Sequence, residues 1–447
     1  MPEPNARQTV YCILQDIQRY DTYSDVALNR WLKKVELNAL DRGLVTELVY
    51  GITRKQRLLD ALISQLARKP LEKQPRDLRI IFSIGLYQLR YLDNIPGGTV
   101  VYTSVELAKQ NGLQALSGVV NGVLRQYMRS REKGDPLKLP DSVPQRLALS
   151  HSYPDWIVEQ WLTQLPEAET EQLCEWFNRP PTIDLRVNTQ QSSVEEVETA
   201  LREQEIATER LPHSPQGLRL VEKVGALHKL PGFDLGWWTV QDGSAQLVSY
   251  LLDPQPGEVI IDACAAPGGK STHIAELMGD SGTIIACDLH QSRVKKITHN
   301  IQRLQLKSIQ TRVGDIRQID DLTGKGDRVL VDAPCSGLGT LHRHADGRWR
   351  QTPELVEELS QLQQELLDAA ATWVKPGGVL VYSTCTLHPH ENERVVTQFL
   401  NTHSQWQISP TIPSFATPFL TPEGYLKVWP HQHQMDGFFM VALNNVS

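Results

Sequence analysis

Apolar positions in the first 135 residues recur with helical spacing. Leu78, Ile81, Phe82, Gly85, Leu89 and Leu92 share one side of a helix, and Val45–Leu59 and Thr103–Met128 repeat the period. Strand-like alternation is scarce there. Turn signals at Asp93-Asn94-Ile95-Pro96-Gly97-Gly98 and Lys133-Gly134-Asp135-Pro136 interrupt the pattern. An all-α bundle over residues 1–135 follows. Residues 136–235 mix periods, with helices expected over Asp155–Gln164, Glu167–Phe177 and Val194–Gln204 and a strand over Ile183–Val187 after the break Asn178-Arg179-Pro180-Pro181. This reads as a small α+β connector. From residue 236 to 447 short apolar runs alternate with helical stretches. Strands are expected at Val259–Ala263, Gly282–Asp288, Ile309–Gly314, Arg328–Asp332 and Val379–Thr384. Helices fall between them at Ser271–Leu277, Gln291–Leu304 and Pro353–Val374. That rhythm predicts a parallel, doubly wound, Rossmann-like α/β sheet, with one more strand near Gly437–Leu443 on its far side.

The 447 residues are 40% hydrophobic and 22% charged, which excludes a largely disordered chain. No run approaches the roughly 18–20 apolar residues that span a bilayer. The opening Met1-Pro2-Glu3-Pro4-Asn5-Ala6-Arg7 lacks the charged-then-apolar plan of a secretion signal. A cytoplasmic protein without a membrane partner, acting as a monomer, is expected. The net charge of −7 conceals an asymmetry: residues 1–134 carry 20 basic and 13 acidic side chains, and the remainder carries 25 and 39. A basic module ahead of an acidic one is the electrostatic footprint of a polyanion binder. A solvated helical domain that happens to be basic explains the charge equally well. The six cysteines are dispersed, with no C-x-x-C pair, so neither a metal cluster nor a disulfide framework is expected.

The first expected strand runs into Cys264-Ala265-Ala266-Pro267-Gly268-Gly269-Lys270 and then a helix. Small residues let backbone approach a ligand, and the helix start offers free N–H groups. Gly269-Lys270-Ser271 resembles the end of a Walker loop, but the glycine that motif needs falls on Cys264, and no G-x-G-x-x-G is present. Acids follow the next strands. Asp288 lies 20 residues past Gly268, suited to ribose hydroxyls. Asp315 follows the third strand, in reach of an adenine amino group, and Asp332 ends the fourth. Three carboxylates along one rim repel a polyphosphate and suit a nucleoside with a cationic tail, which is the chemistry of S-adenosylmethionine. Cys264 to Lys270, with Asp288, Asp315 and Asp332, are therefore the candidate cofactor contacts.

Two cysteines share that rim. Cys335 lies in Asp332-Ala333-Pro334-Cys335-Ser336-Gly337, and Cys385 lies in Ser383-Thr384-Cys385-Thr386. Cys12, Cys174 and Cys287 read as small hydrophobes. The C5 carbon of a pyrimidine is a poor nucleophile. A thiolate adding at C6 makes C5 able to accept a methyl group, an instance of covalent catalysis. Asp332 is placed to support charge at N3, for which it would carry a proton, and a second cysteine would assist release of the first.

These strings, together with Asp262-Ala263-Cys264-Ala265-Ala266-Pro267-Gly268-Gly269-Lys270, resemble the RNA cytosine-C5 methyltransferases of the Sun/Fmu family. Gln241-Asp242-Gly243-Ser244-Ala245 and Asp436-Gly437-Phe438-Phe439 resemble further segments of that family. Leu185-Arg186-Val187-Asn188 is similar to its connector, which helps hold RNA. Arg42–Gly51 and Gly85-Leu86-Tyr87-Gln88-Leu89 resemble the NusB-type RNA-binding fold. The resemblance implies a NusB-like bundle, a connector and a methyltransferase domain, with S-adenosylmethionine as cofactor and small-subunit ribosomal RNA as partner. It implies Cys385 as nucleophile, Cys335 in release, Asp332 facing the base, and Lys270 near the base or its Asp. The family often has Arg-Arg-x-Pro-Asp after the first cysteine, where this chain has His342-Arg343-His344-Ala345-Asp346. A cytosine within a helix would have to be flipped out, and the basic bundle would grip phosphates. Two other readings stand beside this one: a non-catalytic RNA-binding module, and a methyltransferase acting on a small molecule or a protein. The rim cysteines speak against the first and the basic bundle against the second.

Overall fold

A computed structural model of the chain describes residues 5–222 and 224–447, so the first four residues of the opening segment lie outside the described residues. The chain forms two compact units. One holds residues up to Arg179 together with Leu341–Arg350, and the other holds Pro180–Thr340 and Gln351–Ser447.

The first unit is helical. Asn5 caps its first helix by accepting the Gln8 N–H at 2.9 Å. The helix Gln56–Leu66 buries Leu58, Leu59, Leu62, Ile63 and Leu66, the apolar face that its sequence spells out. Two stretches expected as single helices are broken. Lys55 leaves helical geometry (ψ 18°) between Ala39–Arg54 and Gln56–Leu66. Asn111-Gly112-Leu113 and a short 3₁₀ turn separate Gly97–Gln110 from Ser117–Arg131, with Gly112 at φ 77°. The ten residues Leu341–Arg350 pack into this unit. Arg348, fully buried, donates to the Ser152 carbonyl at 3.2 Å and Asn178 Oδ1 at 2.9 Å, and its guanidinium lies 4.1 Å from the Tyr153 ring centroid. Asp346 accepts the Ser24 N–H at 2.8 Å. Asp346, the last residue of the His342–Asp346 stretch, is thus engaged within this unit.

The second unit carries two sheets. In the smaller, β1 (Ile183–Val187), β2 (Thr208–Arg210), β3 (Gly217–Leu220) and β4 (Trp238–Val240) lie in the order β2-β3-β1-β4, all neighbours antiparallel. Ser193 and Glu196 form a reciprocal cap on the helix Val194–Arg202 that packs there. The run resembling an RNA-holding connector is interior. Arg186 is fully buried and ion-paired with Glu276 at 2.7 Å, and Asn188 donates to the Gly236 and Leu304 carbonyls. Neither side chain is available to a phosphate, so any grip on RNA by the connector comes from other residues.

The larger sheet orders β10 (Trp406–Ile408), β12 (Phe438–Asn445), β9 (Val374–Thr384), β8 (Gly326–Asp332), β5 (Val259–Asp262), β6 (Thr283–Asp288) and β7 (Ile309–Val313), with β11 (Leu426–Val428) paired to β12. The five strands β5 to β9 are parallel, as their β-α alternation predicts. β12 runs antiparallel against β9, with β10 outside it, so the sheet is mixed rather than wholly parallel. β9 begins at Val374, earlier than its apolar run suggests, and the preceding helix stops at Ala371 instead of Val374. From β5 the chain steps to β6 and β7 on one side and later to β8 and β9 on the other. The end of β5 is therefore the switch point where open α/β sheets bind ligands.

Candidate active site

The candidate site residues lie at the carboxyl ends of β5 to β9 and at the start of the helix Gly269–Leu277. Asp262, at the end of β5, is buried and accepts a hydrogen bond from the Ser271 hydroxyl at 2.5 Å; burial pushes its carboxyl up to about 7. It ties the strand end to the first turn of the helix Gly269–Leu277. Gly268 turns between them at φ 101°, a left-handed conformation, and a Cβ there would stand 3.1 Å from Ile297. A small-residue cradle against a helix N-terminus is thus present. Cys264 is half-buried within it, its thiol pushed up by burial, so it packs rather than reacts.

Asp288, at the end of β6, is 3% exposed. Its Oδ2 accepts the Ala266 N–H at 3.3 Å and lies 3.3 Å from Arg293, and its Oδ1 accepts the His290 N–H at 3.1 Å. The carboxylate is therefore held beside the Ala265-Ala266-Pro267-Gly268 turn, as a ribose-binding acid requires. Asp315, after β7, is differently engaged. Arg317 forks its carboxylate, with the closest contact at 2.6 Å, and holds it below its ordinary range. An adenine amino group there has Arg317 as a competitor. For Asp288→Ala we expect the dissociation constant for S-adenosylmethionine to rise by about 10- to 100-fold, the worth of hydrogen bonds to a charged acceptor. Titration calorimetry checks this, and an unchanged constant removes Asp288 from the ribose site.

On the other side of β5, Asp332 and Ser383 are register partners on β8 and β9. Asp332 accepts the Ser383 hydroxyl at 2.8 Å through Oδ1 and the Lys270 ammonium at 2.6 Å through Oδ2. Lys270 also lies 5.0 Å from the Phe438 ring centroid, so the late Asp436-Gly437-Phe438 segment shapes the same corner. A lysine at a helix start thus reaches across to the acid of another strand.

The sulfurs of Cys335 and Cys385 are 3.3 Å apart, and both residues are half-buried. Their hydrogen bond, together with burial, pushes the Cys335 thiol up. Among the described residues all six cysteines are free thiols. Cys174 and Cys287 are buried in cores, and burial pushes the Cys287 thiol up to about 12. The crossing that sets the cysteine loops is tight. Gly339 N–H donates to the Cys385 carbonyl at 2.9 Å, Gly437 N–H donates to the Gly339 carbonyl at 2.7 Å, and a Cβ on Gly339 would fall 2.0 Å from the Gly437 oxygen. No role was legible in sequence for Gly339, Ser383 or Asp262, although Ser383 and Asp262 stand inside the quoted motifs.

The arrangement offers a small-residue turn with a held carboxylate on one side of β5, and on the other a thiol pair and a Lys–Asp pair. Among the described residues no helix is long and apolar enough to cross a membrane, and no group of three His, Cys, Asp or Glu could hold a metal ion.

Comparison with known proteins agrees with this geometry. Residues 249–444 match the family described as 16S rRNA methyltransferase RsmB/F, residues 4–129 the NusB family, and residues 153–226 the ferredoxin-like domain of RsmF/B-like methyltransferases. The chain is 51% identical over 98% of its length to a probable ribosomal RNA small subunit methyltransferase B of Synechocystis, of which 99% is covered. The crystal structure of PH0851 superposes with a TM-score of 0.79 at 28% identity, covering 98% of each chain. That of a methyltransferase homolog from Pyrococcus horikoshii superposes at 0.60 with 30% identity, covering 69% of this chain and 100% of the other.

Proposed function

Because the chain belongs to the RsmB/F family of 16S rRNA methyltransferases, we propose that it moves a methyl group from S-adenosylmethionine to C5 of a cytosine in small-subunit ribosomal RNA, in the cytoplasm, through a transient bond between Cys385 and C6. The observation that carries this reading is the pair of half-buried sulfurs 3.3 Å apart beside the Asp332–Lys270 pair, at the rim that also bears the nucleoside cradle. A methyltransferase acting on an already nucleophilic atom needs no such thiol.

Residues 1–135 grip RNA phosphates, 136–235 form the connector, and 236–447 perform the chemistry. The Cys264–Lys270 turn and Asp288 hold the cofactor, with Asp315 at its adenine end. The bound cofactor supplies a methyl group as an electrophile. Cys385 adds as thiolate to C6 of the flipped-out base and drives electron density toward C5 and N3. Asp332 faces the N3 side. Both its oxygens accept hydrogen bonds, so the proton nearest to hand is on the Lys270 ammonium. Once C5 is methylated, a base takes the C5 proton, the C6–S bond breaks, and the Cys335 S–H supports the departing sulfur of Cys385.

Bisulfite sequencing of small-subunit ribosomal RNA from a deletion strain is the test. One cytosine should lose its protection, and the intact gene should restore it while a Cys385→Ala copy should not. An unchanged protection pattern would sink the reading.

A further inference from the structure

One buried carboxylate joins the two cysteine loops. Glu391 is fully buried. Its Oε1 accepts the Ser336 backbone N–H at 2.8 Å and the Gln363 amide at 3.0 Å, and its Oε2 accepts the Ser336 hydroxyl and the Thr386 hydroxyl at 3.1 Å. Ser336 follows Cys335, and Thr386 follows Cys385. Gln363 also donates to the carbonyl of Pro334, on the other side of Cys335, at 2.9 Å. The adjacent Asn392 accepts the Thr384 hydroxyl at 2.6 Å and donates to the Thr386 carbonyl at 3.0 Å, so it holds both neighbours of Cys385. Tyr382, on β9, fixes the Glu391 backbone by donating to its carbonyl at 2.6 Å.

Burying a carboxylate is costly unless its oxygens are satisfied, and here four donors satisfy them. Three of the four come from residues directly after the cysteines, and the fourth side chain binds the residue before Cys335. Burial raises the Glu391 carboxyl and the hydroxyl and amide donors oppose that rise. Among the described residues the hydrogen bonds of Glu391 go to the two cysteine loops and Gln363, and none goes to the Gly268 turn or Asp288.

We propose that Glu391 is a positioning residue: it clamps the loop after β8 to the end of β9 and so sets the separation of the Cys335 and Cys385 sulfurs. This rests on the reading of Cys385 as the nucleophile. Small displacements of a reacting group are expensive. A shift of about 1 Å costs roughly 10²-fold in rate.

The test uses the full-length chain carrying Cys335→Ala, in which the protein–RNA adduct should persist and can be counted on a denaturing gel. Adding Glu391→Ala should slow adduct formation by about 10²-fold while the S-adenosylmethionine dissociation constant stays within about twofold. Glu391→Gln, which keeps shape and an acceptor oxygen, should recover most of the loss. A merely structural role would weaken cofactor binding in step with adduct formation. Adduct formation at the parental rate in Glu391→Ala, or a proportional loss of cofactor binding, would overturn the proposal. If Glu391→Ala shows no cooperative melt, Thr386→Val removes one of the four bonds: slower adduct with unchanged cofactor affinity supports the clamp, and an unchanged rate overturns it. Failure of the underlying reading shows separately, as methyl transfer that survives Cys385→Ala.

Discussion

Cys385→Ala should abolish methyl transfer to RNA, with a loss on the order of 10⁴- to 10⁶-fold, the scale seen when a covalent nucleophile is removed. The residue directly follows β9, an eleven-residue strand whose last five residues are buried. The strand is held by β8 and β12 on either side, and Thr384 and Thr386 are anchored independently through Asn392 and Glu391. Removing one half-buried sulfur therefore leaves the scaffold standing, and stability should fall by only about 1 kcal/mol. Cofactor affinity should persist, because Asp288 and the Gly268 turn lie on the other side of β5. RNA affinity should persist too, since phosphate contacts dominate it. Cys385→Ser should be nearly as inactive, because a hydroxyl gives up its proton far less readily than a thiol. Incorporation of labelled methyl groups, set beside a gel-shift titration and calorimetry with the cofactor, separates chemistry from binding. Turnover within tenfold of the parent would remove Cys385 from the reaction.

The parts legible in sequence were those whose cause is local. β5, β6 and β8 announce themselves as short apolar runs because parallel strands are buried on both faces, and Asp288 and Asp332 are legible because they end such runs. The thiol pair was legible because both cysteines follow strands of one sheet, which places them on one rim whatever the intervening chain does. What escaped depends on distance along the chain. Glu391 looks like a solvated acid in the His388-Pro389-His390-Glu391-Asn392 loop; only partners 55 and 28 residues away make it an interior clamp. Arg186 stands in the run that resembles an RNA-holding connector, yet its counterion Glu276 is 90 residues off and draws it into the core. The antiparallel entry of β12 depends on pairing with β9, which no period of two residues encodes. The helix breaks at Lys55 and at Asn111-Gly112-Leu113 fall within apolar patterns that continue across them, so periodicity joined what packing separates.

Cys335→Ala should leave a protein–RNA adduct that survives denaturing electrophoresis, because the loss falls on the second half of the reaction. The Cys335 thiol is pushed up by its hydrogen bond to Cys385 and by burial, and it sits 3.3 Å from that sulfur. When Cys385 departs as a thiolate, Cys335 is the neighbour placed to donate to it, and an S–H aimed at that sulfur lowers the energy of the state in which the C6–S bond breaks. Alanine removes the donor while leaving the nucleophile, the Asp332–Lys270 pair and the cofactor cradle in place. Bond formation should proceed, and release should slow by about 10²- to 10⁴-fold, the usual worth of a positioned proton donor. The sign of the pH dependence follows: with the Cys335 proton held above its ordinary range, release should not weaken as pH rises from 7 through the normal thiol range near 8.5. A retarded band that requires RNA and Cys385, and that vanishes in the Cys335→Ala, Cys385→Ala double variant, is the expected result. A band indifferent to Cys385 would mean that another group bonds to the base. No band at all, with turnover intact, would mean that Cys385 leaves unaided and that the proximity of the two sulfurs serves packing alone.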